Sequence, residues 1–492
     1  MTQAQALDIE IDVLVIGSGP AGQKAAVQCA KVGKRVIIIE REREIGGACV
    51  HQGTIPSKSL REQALRRASA AQLNIGDREP VVDIDFTTVP LCDLLANVSD
   101  TVAALDHYMT AQLARNDIKT LRGRARFLDD RRIEVERVDG SLVRLTASKI
   151  IICTGSRPRA PEGIAVDHEH ILDSDSLLSL GWLPRSLLVL GSGVIASEYA
   201  SIFAALGCRV VQADRSIRPL MFADAELVDF YLQHLSDHNS EFLPEKRIKS
   251  VQYDPACAQV RSEFHDGFAI ETDKVFIALG RIANVEQLEL AAAGVTLTPA
   301  GHIGVDENLA TTTPGIYAAG DVIGPPSLAS AAMEQGRRAA CHALGIPLLG
   351  DALCENPIPA GIYTIPEMSN VGLDEIEARR LHSGVIVGRA RFGEIARGQI
   401  SGAPRGMLKM VADGNGMRLL GIQVVGDHAT ELIHVGQMAL IANLDVDIFV
   451  DTVFNFPTLA EAYRVAALDI VRQRQARVPH SQPVGRRRRH SV

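Results

Sequence analysis

Two segments of this chain share one pattern, and that pattern restricts the possible folds more than any other feature of the sequence. The first segment opens with a short apolar run at 11–16, typical of a buried parallel strand, and a glycine-rich turn follows at once. Gly17, Gly19 and Gly22 permit a tight turn, close approach of the backbone to a pyrophosphate, and close packing of a helix on the strand. The next apolar run ends in Glu40, where a carboxylate can bind an adenosine ribose. The segment therefore predicts a Rossmann-type dinucleotide site.

The same pattern recurs in the second quarter of the chain. An apolar run at 186–190 leads into Gly191 and Gly193, with Ala196 in the third small position, and the following apolar run ends in Asp214. Two such units predict two bound dinucleotides. A flavin that is reduced by a nicotinamide fits this arrangement, because the isoalloxazine can hold two electrons between two half-reactions.

The bulk composition predicts a globular protein with about three domains. The chain has 492 residues, of which 46% are hydrophobic and 22% charged. Its net charge of −8 argues against nucleic-acid binding, although the arginines at 486–489 form a basic tail that we expect to be flexible. No apolar run approaches the ~18 residues of a membrane span, and residues 1–10 do not resemble a secretory signal. We expect a cytoplasmic protein that binds neither nucleic acid nor membrane.

The cysteines give no sign of a disulfide framework or a metal site, since all eight are scattered without paired spacing. One of them, Cys49, lies in the segment Gly-Gly-Ala-Cys-Val-His-Gln-Gly-Thr-Ile-Pro-Ser-Lys at 46–58. This segment resembles the active-site segment of the flavin disulfide reductases, such as dihydrolipoamide dehydrogenase and glutathione reductase. Thr54 stands where their second cysteine would be, and a hydroxyl cannot take part in disulfide exchange. The version with one cysteine kept is similar to the soluble pyridine nucleotide transhydrogenases, flavoproteins that pass a hydride between NADPH and NAD⁺.

A second departure from the disulfide reductases lies near the end of the chain. Their His-Pro motif, with a glutamate four residues after the proline, supplies the base for the thiols. Here Phe456 replaces the histidine, and a phenyl ring cannot transfer a proton. Glu461 is retained without its partner, and we expect it to serve packing or local hydrogen bonding. The thiol pair and its base are thus lost together.

The resemblance implies which dinucleotide each unit binds. The first unit corresponds to the family's FAD site and the second to its NAD(P) site. The segment 149–158, with Gly155, resembles the strand and turn that close the first part of the FAD domain, and 274–281, with Gly280, is a weaker echo of it. The segment that ends in Asp321 is similar to the second FAD fingerprint, in which the aspartate holds the ribityl chain.

Two retained residues are expected near the flavin. In the family, the residues that match Lys58 and Glu198 form an ion pair beside the flavin N5 and the nicotinamide, where a positive charge favours reduced flavin. A salt bridge of purely structural value is the alternative for this pair. Cys49 is expected at the flavin face as a packed sulfur without a redox role.

The choice between NAD and NADP depends on the end of the second unit's second strand. Asp214 favours the free 2′-hydroxyl of NAD(H), whereas Arg215, possibly assisted by Arg218, could neutralise the 2′-phosphate of NADP(H). For Arg218, an ordinary loop charge is an equal alternative. We therefore expect both nucleotides as substrates.

The expected fold is α/β, with two Rossmann-type dinucleotide-binding domains and a C-terminal α+β dimerisation domain that makes the protein at least a homodimer. The resemblance orders the domains as 1–155, FAD-binding, first part; 156–282, NAD(P)-binding; 283–352, FAD-binding, second part; 353–476, dimerisation; and 477–492, basic flexible tail.

The resemblance implies an Si-specific transhydrogenase that works by a ping-pong mechanism. NADPH reduces FAD, NADP⁺ leaves, and NAD⁺ enters the same site to collect the hydride. One alternative is a diaphorase or quinone reductase that uses the same flavin. The other is a non-catalytic flavin-binding scaffold, against which the retention of both nucleotide sites argues.

Overall fold

The computed structural model describes residues 7–73, 91–348, 357–402 and 405–477. They form two compact units. The larger unit comprises the described residues up to 221 and those from 231 to 348, and the smaller comprises 222–230 with those from 357 onward. The arginines at 486–489 lie outside the described residues.

The secondary structure alternates strands and helices through the larger unit. The strands are β1 (Leu7–Ile16), β2 (Val36–Glu40), β3 (Lys119–Arg122), β4 (Arg124–Phe127), β5 (Arg132–Glu136), β6 (Leu142–Ile152), β7 (Ser156–Pro158), β8 (Ile171–Leu172), β9 (Ser186–Leu190), β10 (Arg209–Ala213), β11 (Glu241–Leu243), β12 (Ile248–Asp254), β13 (Gln259–Phe264), β14 (Ala269–Thr272), β15 (Lys274–Ile277), β16 (Arg281–Ala283), β17 (Ile316–Ala318), β18 (Ala360–Ile362), β19 (Met368–Gly372), β20 (Val385–Arg391), β21 (Met407–Asp413) and β22 (Leu419–Val425). The helices are α1 (Pro20–Lys31), α2 (Gly47–His51), α3 (Thr54–Leu73), α4 (Leu91–Arg115), α5 (Val194–Ala205), α6 (Ala225–Asp237), α7 (Ala329–Leu344), α8 (Glu375–Leu381), α9 (Ala396–Ile400), α10 (Ala429–Ile441), α11 (Ile448–Asp451) and α12 (Glu461–Arg477).

The first sheet of the larger unit has a parallel Rossmann core. Strands β3, β2, β1, β6 and β17 are adjacent in that order and pair in parallel. Strand β6 is long because its first half also pairs with β5, in antiparallel, before its second half pairs with β17. The apolar run of β1 is buried on both faces, as a strand covered by helices on both sides requires. Helices α1 and α7 pack against each other beside this sheet.

The second sheet repeats the same strand order. Strands β11, β10, β9, β15 and β8 are all parallel. In both sheets the chain starts in the middle, builds outward on one side and then crosses to the other. The crevice at this reversal is where open parallel sheets bind ligands. The two glycine-rich turns, after β1 and after β9, both lie at such a point.

The smaller unit is built on an antiparallel sheet in the order β18-β19-β22-β21-β20, against which α10 and α12 pack. The fold class predicted from the sequence is therefore confirmed: two Rossmann-type units and an α+β unit. The predicted late helix at 430–443 is found as α10. The domain boundaries drawn from the sequence stay a prediction.

A buried ion-pair cluster lies within the smaller unit. The Lys409 side chain is only 3% exposed, and its Nζ lies 2.8 Å from Asp224, 2.6 Å from Glu226 and 2.9 Å from Glu375. Arg389 also binds both Glu226 and Glu375. Hydrogen bonds from Arg389, then Lys409, hold the pKa of Glu226 down at about 2, although partial burial opposes this. The cluster ties residues 222–230 to strands β20 and β21.

We predict that Lys409→Met destabilises the protein by about 3–5 kcal/mol, because it leaves the buried Asp224 carboxylate without its counter-ion. A depressed carboxyl pKa contributes stability above the unfolded-state value and loses it as the pH falls through the folded-state value. The difference between wild type and variant should therefore shrink as the pH falls from about 4.5 towards about 2. Urea unfolding at several pH values measures this difference.

Lys249→Met is the matched control. Lys249 is exposed and lies 3.8 Å from Glu263, so its loss should cost no more than about 1 kcal/mol. Equal destabilisation by the two variants would contradict the assignment of the Lys409 cluster as a stabilising centre.

Candidate active site

The first glycine-rich turn has the backbone geometry of a dinucleotide site. Gly17 has φ +101°, and a Cβ there would lie 2.3 Å from the Cys153 carbonyl oxygen. A Cβ on Gly22 would lie 2.0 Å from the Gly17 oxygen. At Gly19, by contrast, nothing lies within 4 Å of the position of a Cβ. The turn is thus closed towards the protein and open where α1 begins, so its first backbone amides can approach a phosphate.

Glu40 is nearly buried and holds this turn in place. Its Oε2 accepts hydrogen bonds from the Ser18 amide at 2.8 Å and the Ser18 hydroxyl at 2.6 Å. Its Oε1 accepts a bond from the Glu42 amide at 3.0 Å. A carboxylate has about four acceptor sites, so one remains for a hydroxyl group of a ligand. The ribose role of Glu40 stays a prediction.

Two further predicted FAD residues lie in the same unit. Gly155 follows β6 with φ +68°, and nothing lies within 4 Å of the position of a Cβ on it. Asp321 follows β17, and its Oδ2 accepts a hydrogen bond of 2.7 Å from Ser156. Ser156 is in turn held by Arg281, whose Nε donates to its hydroxyl at 2.8 Å. The sequence reasoning missed Ser156 and Arg281, although both stand next to the predicted glycines. The open turn, the acid at the end of β2 and the oriented aspartate together fit FAD.

The structure brings Cys49 close to three of the predicted residues. Burial raises the pKa of the Cys49 thiol; the nearby Thr54 hydroxyl and the charge of Lys58 counter that rise, and Asp321 adds to it. Since the net shift is upward, Cys49 is a protonated thiol at neutral pH, and a thiol is a poor nucleophile. Thr54 is the first residue of α3, within the same short segment as Cys49.

Lys58 and Glu198 form the ion pair expected from the sequence. The Lys58 Nζ lies 2.6 Å from Glu198 Oε2, and their side chains are 24% and 4% exposed. Lys58 comes from α3 and Glu198 from α5, so the pair joins the Cys49 segment to the helix that follows the second glycine-rich turn. Its positive member is the more accessible one and can act on a neighbouring ring.

The second glycine-rich turn repeats the closed and open sides of the first. Gly191 has φ +125°, and a Cβ there would lie 2.4 Å from the Ala278 carbonyl oxygen. At Gly193 and Gly280 nothing lies within 4 Å of the position of a Cβ. Gly280 follows β15, the neighbour of β9, so the two open glycines stand at the ends of adjacent strands.

The residues expected to distinguish NAD from NADP follow β10. Asp214 Oδ1 accepts a hydrogen bond of 2.8 Å from the Ser216 amide, which fixes the start of the loop. Arg215 is exposed, and Arg218 is half-buried with its Nη2 3.2 Å from the Met221 carbonyl oxygen. All three residues stay predicted site residues.

The two residues of the altered His-Pro motif lie in the smaller unit. The Phe456 side chain is 74% exposed. Glu461 begins α12, and its Oε2 is buried without a hydrogen-bond partner among the described residues. The local hydrogen bond expected for this oxygen is therefore not found there.

Two other searches cover the described residues only. Within them, no group of three or more histidine, cysteine, aspartate or glutamate side chains could hold a metal ion. No helix in the same ranges is long and apolar enough to cross a membrane.

Comparisons with known proteins agree with this geometry. The family model for pyridine nucleotide-disulphide oxidoreductase matches residues 11–336, and the model for the dimerisation domain of the same family matches 358–467. A soluble pyridine nucleotide transhydrogenase of Mycobacterium bovis is 41% identical over 95% of this chain and 98% of its own length. One from Pseudomonas fluorescens is 39% identical over 93% of this chain and 97% of its own length.

Solved structures of the same fold extend the match. LpdA from Mycobacterium tuberculosis has a TM-score of 0.85 at 27% identity, covering 93% of this chain and 99% of that one. The HOCl-induced flavoprotein disulfide reductase RclA from Escherichia coli has a TM-score of 0.83 at 25% identity with the same coverage. The chain therefore belongs to the pyridine nucleotide-disulphide oxidoreductase family and, within it, to the soluble pyridine nucleotide transhydrogenases.

Proposed function

We propose that this protein exchanges hydride between NADPH and NAD⁺ through bound FAD, by a ping-pong mechanism in which no disulfide takes part. The observation that carries the proposal is the segment around Cys49. It keeps the Lys58–Glu198 ion pair and lacks a second sulfur, while the sulfur that remains is a protonated thiol. The relatives named as transhydrogenases support the same reaction.

FAD, when bound, accepts a hydride from one nicotinamide and returns it to another. In this proposal the turn at Gly17 and Gly19 holds its pyrophosphate, Glu40 its adenosine ribose, and Asp321 its ribityl chain. The hydrogen bond from Ser156 keeps the Asp321 carboxylate oriented before the ribityl hydroxyls arrive.

Hydride exchange asks the protein for alignment and charge rather than for a proton relay. The transfer needs two rings held at near-contact distance, which is a positioning requirement. Lys58 places a fixed positive charge, oriented by Glu198, where negative charge develops on reduction. No step requires a base at position 456, so an exposed phenylalanine there is compatible with the reaction.

The second unit would serve both nucleotides in turn. Its turn at Gly191 and Gly193 would bind the pyrophosphate that NAD(H) and NADP(H) share, and Asp214 and Arg215 would respond to their 2′ groups. The proposal includes a cytoplasmic location and an assembly of at least two copies, which the match to the dimerisation domain supports.

The direct test is reduction of thio-NAD⁺ by NADPH with the FAD-loaded protein. Initial rates at several concentrations of both substrates should give parallel reciprocal plots, as a ping-pong mechanism requires. Flavin bleaching by NADPH without transfer to thio-NAD⁺, but with rapid transfer to a quinone, would assign the protein to the diaphorases. Absence of bleaching would leave a non-catalytic flavoprotein.

We predict that Cys49→Ser keeps hydride exchange within about threefold of wild type, because a protonated thiol and a hydroxyl are similar in size and neither transfers electrons. Oxidised lipoamide and glutathione should be reduced at background rates by both proteins. Loss of exchange by orders of magnitude in the FAD-loaded variant would give the sulfur a direct role.

We predict that Lys58→Met lowers the midpoint potential of the bound flavin by roughly 30–60 mV and slows its reduction by NADPH. The change removes a positive charge and leaves the nearly buried Glu198 carboxylate unpaired. Anaerobic titration and stopped-flow absorbance measure the two effects. Lys58→Arg, which keeps the charge, is the control and should retain most of the potential; a potential unchanged in Lys58→Met would make the ion pair structural.

We predict that Arg215→Ala raises the Kd of NADP(H) about ten- to a hundredfold and leaves that of NAD(H) nearly unchanged, because a charged contact to phosphate contributes about 1.5–3 kcal/mol. Asp214→Asn should weaken NAD(H) and spare NADP(H). Titration of each nucleotide against the flavin absorbance measures both. Arg185→Ala, an exposed arginine at the opposite end of β9, is the control. Equal effects on the two nucleotides would show that these residues do not distinguish the 2′ position.

A further inference from the structure

A fully buried polar cluster lies beneath the second glycine-rich turn. The side chains of Gln212, Ser197 and Tyr231 are each 0% exposed. Gln212 Nε2 donates to the Gly191 carbonyl oxygen at 2.9 Å and to the Ser197 hydroxyl at 3.2 Å. The Tyr231 hydroxyl donates to Gln212 Oε1 at 2.6 Å. The cluster therefore joins the turn to β10 through Gln212, to α5 through Ser197 and to α6 through Tyr231.

A comparison of the two turns shows why the second one needs this donor. In the first turn, the Gly17 carbonyl lies against Gly22, where a Cβ would be only 2.0 Å from the carbonyl oxygen. The corresponding position of the second turn is Ala196, which carries that methyl group and is fully buried. The Gly191 carbonyl cannot occupy the place that Gly17 uses, because the methyl group fills it. A buried carbonyl needs a partner wherever it points, and Gln212 supplies one.

The hydrogen bond to Gly191 also sets the direction of the next amide. A trans peptide is planar, so its C=O and the following N–H point in opposite directions. With the Gly191 oxygen held towards the interior by Gln212, the Ser192 amide faces away from it. Within the described ranges, the Ser192 amide donates to no protein group, whereas the matching Ser18 amide of the first turn is bound by Glu40. The second turn thus keeps one more amide for a ligand.

The orientation of the Gln212 amide is itself fixed. A carbonyl oxygen only accepts hydrogen bonds, so the side-chain nitrogen has to face Gly191 and the side-chain oxygen has to face a donor. Tyr231 is that donor, and its hydroxyl also lies within hydrogen-bonding reach of Ser197. Burial raises the pKa of Tyr231 well above its ordinary value, so it remains a donor throughout the working pH range.

We propose that Gln212, oriented by Tyr231, is a positioning residue of the nicotinamide nucleotide site. It holds the Gly191–Ser192 peptide so that the Ser192 amide faces the pyrophosphate. The inference rests on the proposed function, in which the second unit binds both nucleotides. Because NAD(H) and NADP(H) share the pyrophosphate, the contribution of Gln212 is the same for both, unlike that of Arg215.

The test is Gln212→Met, which keeps the length of the side chain and removes its donor. Calorimetric titration of the FAD-loaded protein with NAD⁺ and with NADP⁺ should show both Kd values raised about three- to tenfold, the loss expected for one hydrogen bond. FAD content and flavin potential should not change. Tyr231→Phe, which loses only the orienting bond, should raise both Kd values less. The control is Tyr463→Phe, since Tyr463 is also 0% exposed and hydrogen-bonded, but in the smaller unit.

A rescue variant separates positioning from general destabilisation. In Gln212→Met with Ala196→Gly, the missing methyl group allows the Gly191 carbonyl to settle as the Gly17 carbonyl does, so both Kd values should move back towards wild type. A purely structural role predicts that the second substitution weakens the protein further. Unchanged Kd values in Gln212→Met and Tyr231→Phe, or a selective effect on one nucleotide, would overturn the proposal. Wild type that binds both nucleotides but does not reduce thio-NAD⁺ would overturn the proposed function alone.

Discussion

Both dinucleotide units depend on one steric constraint, the contact between a glycine at the end of a strand and the carbonyl of the next strand in the sheet. A Cβ at Gly17 would lie 2.3 Å from the Cys153 oxygen, and one at Gly191 would lie 2.4 Å from the Ala278 oxygen. Because only a hydrogen atom fits there, the chain can turn sharply at the switch point of each parallel sheet. The turn sets where the helix begins, and the helix start sets where phosphates can bind.

The chemistry follows from what stands between these two units. The Lys58–Glu198 pair bridges α3 and α5, so a charge from the segment around Cys49 is fixed by a residue of the nucleotide-binding helix. A disulfide reductase uses this neighbourhood for sulfur exchange. Here burial keeps the lone thiol protonated, and the bridge itself remains. Such a site is suited to hydride chemistry, for which geometry and electrostatics suffice.

The sequence predicts the parts of the structure that depend on local pattern. The strands at 11–16, 186–190 and 209–213 are apolar runs next to glycines, and each is found with few changes at its ends. The Lys409 cluster could not be predicted in this way, because Lys409 and Asp224 are separated by 185 residues and only the fold brings them together. Gln212 had a weak local signal, a polar residue inside a buried strand. Its partner Tyr231 lies on α6, beyond the reach of any local pattern.

The exposure of Arg215 has a consequence for the cell as well as for the site. A buried cation would recognise the 2′-phosphate with little regard for the medium, whereas a charge in contact with water is screened over about 10 Å at 0.1 M salt. Whatever preference Arg215 gives to NADP(H) therefore weakens as ionic strength rises. Asp214 is only partly exposed and is fixed by the Ser216 amide, so it is screened less. The relative occupancy of one site by two nucleotides thus becomes a property that responds to the osmotic state of the cytoplasm.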